Sequence, residues 1–445
     1  MDWAYGSKNS TGLTVEEKTH RSWSRRSPRV LLYSHDTFGL GHLRRSRAVA
    51  HALIKERPDL SILIVSGSPI IGNFDFGDGI DYVRIPGVTK LPSGEYSTLN
   101  LNLEIDEATA LRASIIRQTA ETFDPDIFIV DKEPTGFRGE VIDTLVTLKR
   151  RGCHLVLGLR DIMDEPSLLI PEWQRKNAID SLERLYDEIW IYGLKDIYNP
   201  LSGFQLTSEV EEKIRYTGYL KRSMPSEPTI ANWPEVTEKD FILVTTGGGG
   251  DGYDLIDWVL SAYETDETLD VPSLLVLGPF MQSDLRSQLM TRIDKLEHVH
   301  AMVFDAKIEY LEEKAVGVVA MGGYNTFCEI LSLDKRAIIV PRTAPRLEQY
   351  IRAFHASRWG LVQMLVDESQ CGGAARDPMD MAKALKKLPK QKKPSQVTIP
   401  GLLDGLSRIK ELAAPWLPPK LKDKNSEKTE ATYSGNVQTL RRPAR

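Results

Sequence analysis

Cysteine is scarce in this sequence. The three present, Cys153, Cys328 and Cys371, lie far apart among 445 residues and form no CxxC pair. A disulfide framework and a cysteine zinc site are therefore not expected, and a reducing compartment fits. Long apolar runs are missing too. No stretch approaches the ~20 residues that span a bilayer. The polar, arginine-bearing residues 1–28 hold no apolar core of signal-peptide length. Basic charge is not in excess: 57 Lys and Arg stand against 62 Asp and Glu, a net charge of -5, which argues against a nucleic-acid binder. Two nucleotide motifs are also absent. The longest glycine run is not followed by GK[ST], so it is not a Walker A loop. GxGxxG spacing with a suitably placed acid is not found either, which disfavours a nicotinamide cofactor.

What is present is an alternation. Short apolar runs at residues 30–34, 62–65, 81–85, 127–130, 155–159, 188–192 and 214–218 alternate with amphipathic helical segments. The pattern restarts with 241–244, 274–277, 301–304, 316–320 and 337–340. Alternation of this kind implies right-handed crossovers and parallel sheets covered on both faces. The expected class is α/β: two Rossmann-like domains with parallel sheets facing a cleft. The expected divisions are a disordered tail (1–28), a first domain (29–223), a proline-bearing linker (224–237), a second domain (238–400), a last helix (401–416) and a second disordered tail (417–445). Residues 86–102, polar and rich in Gly, Pro and Ser, read as a long loop suited to a lid or an acceptor-binding segment.

The glycine-rich corners carry the chemistry. Gly322, Gly323, Tyr324, Asn325, Thr326, Phe327, Cys328 and Glu329 follow an apolar strand and open a helix. Such a corner offers free N–H groups and the positive end of a helix to an anion. Glu329 on that helix could reach a sugar hydroxyl beside it. Gly247, Gly248, Gly249 and Gly250 form a second such corner, where the backbone can approach a diphosphate closely; an ordinary turn is the alternative. Gly41 and His42 end the loop after the first strand. His42 is a candidate general base, against an equal claim as a structural hydrogen-bonder. Of Arg44, Arg45 and Arg47, one is a candidate anion ligand and at least one is expected to face water. Asp131, Lys132 and Glu133, and Arg160 and Asp161, stand at strand ends. They either meet an acceptor or pair with one another. Glu348 and Gln349, with Arg342 and Arg346 nearby, could read sugar hydroxyls or simply start a helix.

Together these loops resemble the GT-B glycosyltransferases, in particular the group containing the N-acetylglucosaminyltransferase of the peptidoglycan lipid precursor. The resemblance is strongest over residues 241–354. Gly39, Leu40, Gly41 and His42 match the end of that group's first loop. Gly218 and Arg222 match two positions of its Gly-Asn-Pro-Val-Arg segment, and Gly247 to Gly250 match its diphosphate loop. Residues 323–329 resemble its Gly-Ala-Leu-Thr-Val-Ser-Glu, which implies a ribose-binding role for Glu329. Phe304 falls where the group packs the nucleotide base. Glu348 and Gln349 fall where it has paired glutamines on the donor sugar, and the departure at Glu348 leaves the sugar open. Asp36 and the run from Gly41 to Arg45 also resemble the nucleotide-sugar hydrolase of pseudaminic acid synthesis.

The resemblance implies an inverting transfer of sugar from a nucleotide diphosphate-sugar, a UDP-sugar first, to a hydroxyl of a glycan, lipid-linked or small-molecule acceptor. The donor contacts would be Arg222, Gly247, Gly248, Gly249, Gly250, Phe304, Gly322, Gly323, Asn325, Thr326, Glu329, Glu348 and Gln349. The acceptor side would hold Gly41, Asp131, Lys132, Glu133, Arg160 and Asp161, with His42 as base. No cofactor or metal is expected, since that fold generally needs none and Asp124-Pro125-Asp126 stands before a strand rather than after one. A hydrolase or epimerase on the same fold, and a catalytically silent nucleotide-sugar-binding subunit, are the alternatives. A cytoplasmic protein is expected. Peripheral contact with the inner face of the membrane is left open by the apolar and basic residues 145–151.

Overall fold

The computed structural model describes residues 27–35, 41–91, 95–224, 233–248, 250–305 and 307–419. Most of both expected tails, most of the expected linker, Asp36, Gly39, Leu40 and Gly249 lie outside the described residues. Strands β1 (Arg29–Ser34), β2 (Ser61–Ser66) and β3 (Ile80–Arg84) precede a short hairpin, β4 (Val88–Lys90) and β5 (Tyr96–Thr98). Then come β6 (Ile127–Asp131), β7 (His154–Arg160), β8 (Glu188–Tyr192) and β9 (Ile214–Tyr216). Apart from the hairpin they form one parallel sheet in the order β3-β2-β1-β6-β7-β8-β9. The second sheet, also parallel, holds β10 (Ile242–Thr245), β11 (Ser273–Val276), β12 (Val299–Met302), β13 (Gly317–Ala320), β14 (Ala337–Ile339) and β15 (Gln363–Met364) in the order β12-β11-β10-β13-β14-β15. The two-domain α/β architecture is thus as the alternation implies. Each order reverses once, beside β1 and β6 in the first sheet and beside β10 and β13 in the second. Crevices at such reversals, beyond the carboxyl ends of the strands, are where open α/β sheets bind ligands.

The crossover helices of the first domain are α1 (Gly41–Glu56), α2 (Ile105–Phe123), α3 (Ile142–Arg150), α4 (Pro166–Arg175), α5 (Ala178–Arg184) and α6 (Ser208–Lys213). Those of the second are α7 (Tyr253–Thr265), α8 (Ser283–Ile293), α9 (Ile308–Lys314), α10 (Tyr324–Ser332), α11 (Glu348–Arg358) and α12 (Pro378–Lys387). Local chemistry sets their ends. Helix α2 starts with a capping box between Glu104 and Glu107 and stops at Asp124 in a left-handed conformation, just before Pro125. Helix α12 has Asp377 accepting from the Met379 N–H, with Pro378 in the first turn. By contrast α7 and α10 begin at Gly252 and Gly323, with no side-chain cap.

The chain then returns. Helix α13 (Gly405–Ala413) and the 3-10 turn Ala414–Trp416 follow. Ile409, Ala413 and Leu417 join an apolar cluster that also holds Val30 and Leu43 of the first domain and Val318 and Phe327 of the second. The return path requires two glycines. Gly218 has a φ of 88°, and a Cβ there would lie 2.2 Å from the Gly401 carbonyl oxygen; one at Gly405 would lie 2.6 Å from the carbonyl oxygens of Gly218 and Tyr219. The Tyr219 N–H donates to the Leu402 carbonyl at 2.8 Å, so two backbones cross in contact.

Four expectations change. Residues 86–102 are not all loop, because the antiparallel β4 and β5 pair within them. The leucines of residues 145–151 are not a surface: Leu145 and Leu148 are fully buried on the inner face of α3, leaving Val146 and Thr147 half-buried and the basic residues outside. Leu417, placed in the tail, is 5% exposed, since the apolar cluster gives it a place to bury. Trp233, placed in the linker, packs with Val236 and Phe241 and donates its indole N–H to Asp305 at 2.7 Å, so it belongs to the second domain. Among the described residues no helix is long and apolar enough to cross a membrane. Gly405→Ala should destabilise the protein by about 1–3 kcal/mol, because the added methyl meets two carbonyls and not a mobile side chain. Thermal or denaturant unfolding checks this.

Candidate active site

The first crevice holds His42, the second residue of α1, and Asp131, the last of β6. Nδ1 of His42 and Oδ2 of Asp131 are hydrogen-bonded. Arg45, one helical turn from His42, clamps the same carboxylate: its Nε donates to Oδ1 at 2.9 Å and its NH2 reaches Oδ1 and Oδ2 at 2.8 Å each. The NH2 group also lies 2.9 Å from Nδ1. Nδ1 can serve only one of these neighbours. An ionised acceptor takes its proton, and Arg45 is already satisfied by the carboxylate, so the assignment is Nδ1–H to Asp131 with the Nε2 lone pair free. Burial raises the Asp131 carboxyl, but Arg45 and then His42 outweigh it and hold it down to about 2. For His42 burial wins: it lowers the imidazole from its ordinary value, and Asp131 only partly offsets this. The ring is neutral at physiological pH, as a general base must be. A cavity of about 10 Å³, the room of about one water, lies behind the pair, lined by Tyr33, Arg45, Asp131 and Tyr192. His35, at the end of β1, packs edge-on to His42 with ring centres 5.7 Å apart.

The second crevice is bounded by the corners after β10 and β13. Gly247 has a φ of 66° and Gly322 a φ of 79°, and a Cβ at Gly247, Gly250 or Gly323 would meet nothing within 4 Å. These glycines border open space, and α7 and α10 start beside them with no side-chain cap. Phe304 is 51% exposed beyond the end of β12, available to stack on a flat ring. Phe280, 48% exposed, packs over Gly248 and donates its N–H to the Gly248 carbonyl at 3.0 Å. Sequence reading missed Phe280, and an aromatic after a strand-end Gly-Pro was its one visible signal. Gln349 Oε1 accepts from the Arg342 N–H at 3.1 Å, bracing the turn before α11. Thr326 is half-buried on α10.

The two crevices meet. Asn325 in the first turn of α10 donates to the Gly41 carbonyl at 3.1 Å, and Arg222 donates to Asn325 Oδ1 at 2.6 Å and, through its backbone N–H, to Ser332 Oγ at 2.8 Å. The strand-end charges Asp161 and Arg160 pair across this junction with α11 of the second domain rather than with one another. Asp161 takes both Nε and NH2 of Arg352, at 2.8 and 2.7 Å, and Arg352 also donates to the Gly322 carbonyl at 2.9 Å. Arg160 holds Glu348 at 2.5 Å. Burial raises the Glu348 carboxyl, but Arg160 and then Arg352 hold it down to about 2. Glu133 pairs with Lys176 at 2.9 Å. Lys132, with a left-handed φ of 70°, is lowered to about 8, chiefly by burial. Glu329, 1% exposed, meets Arg44 at 2.6 Å, and Arg44 also takes Glu309 at 2.7 Å. Glu312, 1% exposed beside them, keeps its proton well above the usual range because of burial first and then Glu329 and Glu309. Arg47 donates to the Asp75 carbonyl at 2.7 Å and lies over Phe74 and Phe76. All three arginines after His42 therefore have protein partners: Arg44 meets carboxylates of the second domain, Arg45 and Arg47 meet groups of the first, and Arg47 stays partly open to water. Among the described residues no group of three or more His, Cys, Asp and Glu side chains is placed to hold a metal ion.

No protein-family model matches the sequence, and no curated protein matches it. Solved structures do match the fold. The chain is similar to the calicheamicin glycosyltransferase CalG4, with a TM-score of 0.54 and 14% identity over 88% of this chain and 97% of that one. It is similar to a UDP-glucosyltransferase of Polygonum tinctorium capable of glucosylating indoxyl, with a TM-score of 0.59 and 12% identity over 87% and 98%. MurG of Acinetobacter baumannii gives a TM-score of 0.50 and 11% identity over 86% and 95%. The fold is that of the GT-B glycosyltransferases.

Two outcomes test the junction. Arg352→Met leaves the Asp161 charge buried and alone, and should cost about 3–5 kcal/mol. Adding Asp161→Asn should return part of that in unfolding measurements. Glu312 stabilises the fold fully below its unfolded value of 4.5, and this is lost as pH rises toward its higher folded value. Glu312→Gln should therefore raise the melting temperature relative to the parent, by a margin that grows as pH rises above 4.5.

Proposed function

We propose that the protein is a glycosyltransferase that moves a sugar from a nucleotide diphosphate-sugar, a UDP-sugar in the first instance, to an acceptor hydroxyl of a glycan, a lipid-linked sugar or a small molecule. One observation carries the reading: a partly buried, neutral histidine with a carboxylate on Nδ1 stands at one switch point, and α1 and α10 bring it against the uncapped glycine corner of the other. The names of the solved structures above, among them a UDP-glucosyltransferase, support it.

In this reading the acceptor O–H gives its proton to Nε2 of His42 as its oxygen attacks the anomeric carbon. The bond from that carbon to the diphosphate breaks, and the nucleoside diphosphate leaves. Asp131 stabilises the imidazolium that forms, and Arg45 keeps Asp131 ionised. The starts of α7 and α10 and the guanidinium of Arg222 stabilise the departing charge, so the chemistry is read as metal-independent. A single in-line displacement inverts the anomeric centre. Phe304 and Phe280 are assigned to the base of the nucleotide. Glu329 is assigned to the ribose, whose hydroxyls would take the place of Arg44. Asp161, Arg160 and Glu133 are read as structural from their pairing with Arg352, Glu348 and Lys176, which leaves Gly41, Asp131 and Lys132 as the acceptor side.

Purified protein incubated with UDP- and GDP-sugars, without acceptor, tests the reading. Binding with little release of sugar is the expected result. Rapid release into water would make it a hydrolase, a change of configuration an epimerase, and failure to bind any nucleotide-sugar would end the proposal. His42→Ala should lower turnover by about 10²–10⁴-fold with donor affinity, read by calorimetry, little changed. Full turnover would remove His42 as the base.

A further inference from the structure

We propose that Tyr324 is a positioning residue that makes the arrangement of the base depend on the seating of the donor corner. This rests on the transferase reading above and adds a residue to it. Tyr324 opens α10 directly after Gly322 and Gly323 and is 3% exposed. Its hydroxyl donates to the Tyr192 carbonyl, at the end of β8 in the other domain, at 2.9 Å. Two guanidinium groups lie over its ring, with Cζ of Arg45 5.6 Å and Cζ of Arg352 5.7 Å from the centre. Each has a second task. Arg45 clamps Asp131, the partner of His42. Arg352 holds the Gly322 carbonyl and Asp161.

One ring therefore touches both the cation that orients the base and the cation that holds the glycine turn. A plain core residue would also fill this space, since Tyr219 and Phe327 pack nearby. It would need neither the buried hydroxyl bond nor the two cations. Each cation–ring contact is an electrostatic attraction strong enough to choose between two placements of a side chain. When α10 sits on the first domain, Arg45 is held between the ring and Asp131. When α10 withdraws, Arg45 loses one wall and Asp131 loses part of its clamp. The base is then fully arranged only when the donor corner is docked, which ties proton abstraction to closure.

The groups facing His42 are Asp131 and Lys132 at the end of β6, Arg45 on α1 and His35 at the end of β1. Among these Arg45 lowers the His42 titration, so loosening Arg45 raises it. Three readouts test the idea in Tyr324→Leu, which loses the ring and the hydroxyl, and in Tyr324→Phe, which loses only the hydroxyl. They are the His42 ring titration by NMR (assigned with His42→Gln), UDP affinity by calorimetry, and kcat with the donor found above. Tyr324→Leu should raise the His42 titration and lower kcat by about 10- to 100-fold, with UDP affinity unchanged. Tyr324→Phe should shift both in the same direction by less, and it decides the matter if the Leu variant does not fold. An unmoved His42 titration, or a UDP affinity that falls in step with kcat, would overturn the proposal. If the parent protein turns over no nucleotide-sugar, the transferase reading fails by itself, and the His42 titration still judges the coupling.

Discussion

Charge that leaves water must find charge of the other sign, and the junction between the two domains is built on this constraint. Arg352 and Asp161 are each about 1% exposed, in different domains, and bonded through two parallel contacts. Taking either charge out of water costs several kcal/mol, which only close pairing and further hydrogen bonds offset. Arg352 obtains the extra bond from the Gly322 carbonyl and so fixes the glycine corner as well. The apolar cluster that runs through both domains supplies attraction without direction. The ion pairs supply register, because an offset of a few ångströms would leave a buried charge alone.

That register is what brings two ordinary doubly wound sheets into one site. Each sheet offers a crevice where its strand order reverses, and neither crevice holds both a base and an anion-binding corner. The first has His42, Asp131 and Arg45; the second has the open glycine corners and the uncapped helix starts. Contact between Asn325 and Gly41 closes the gap between them. Competing terms then set the chemistry. Burial would protonate Asp131, but the Arg45 clamp prevails and keeps it ionised. The same burial keeps His42 neutral despite that carboxylate.

Much of this was legible in the chain. The run at 127–130 is β6 almost to the residue, and the stop at Asp124 and Pro125 ends α2 where a left-handed residue before proline must. The glycine corners are legible because open space beside a helix start leaves glycine unopposed. Other features were not. Residues 145–151 have the same pattern whether their leucines face a core or a membrane, and only the neighbouring sheet decides that they are buried. The pairing of Arg160 with Glu348 joins residues 188 positions apart, and nothing local signals it. Arg45 was half visible: its spacing from His42 places both on one face of α1, but its target, Asp131, arrives from β6.

Apolar periodicity and turn chemistry act within a few residues, so the sequence by itself determined two parallel α/β domains, the glycine turns at their strand ends and the presence of a histidine beside one of them. Which charges meet is a question of distance between residues far apart in the chain. Only the tertiary structure decided that Asp131 serves His42, that Asp161 serves Arg352, and that Tyr324 lies between the arginines of both, because each depends on how one domain is seated on the other.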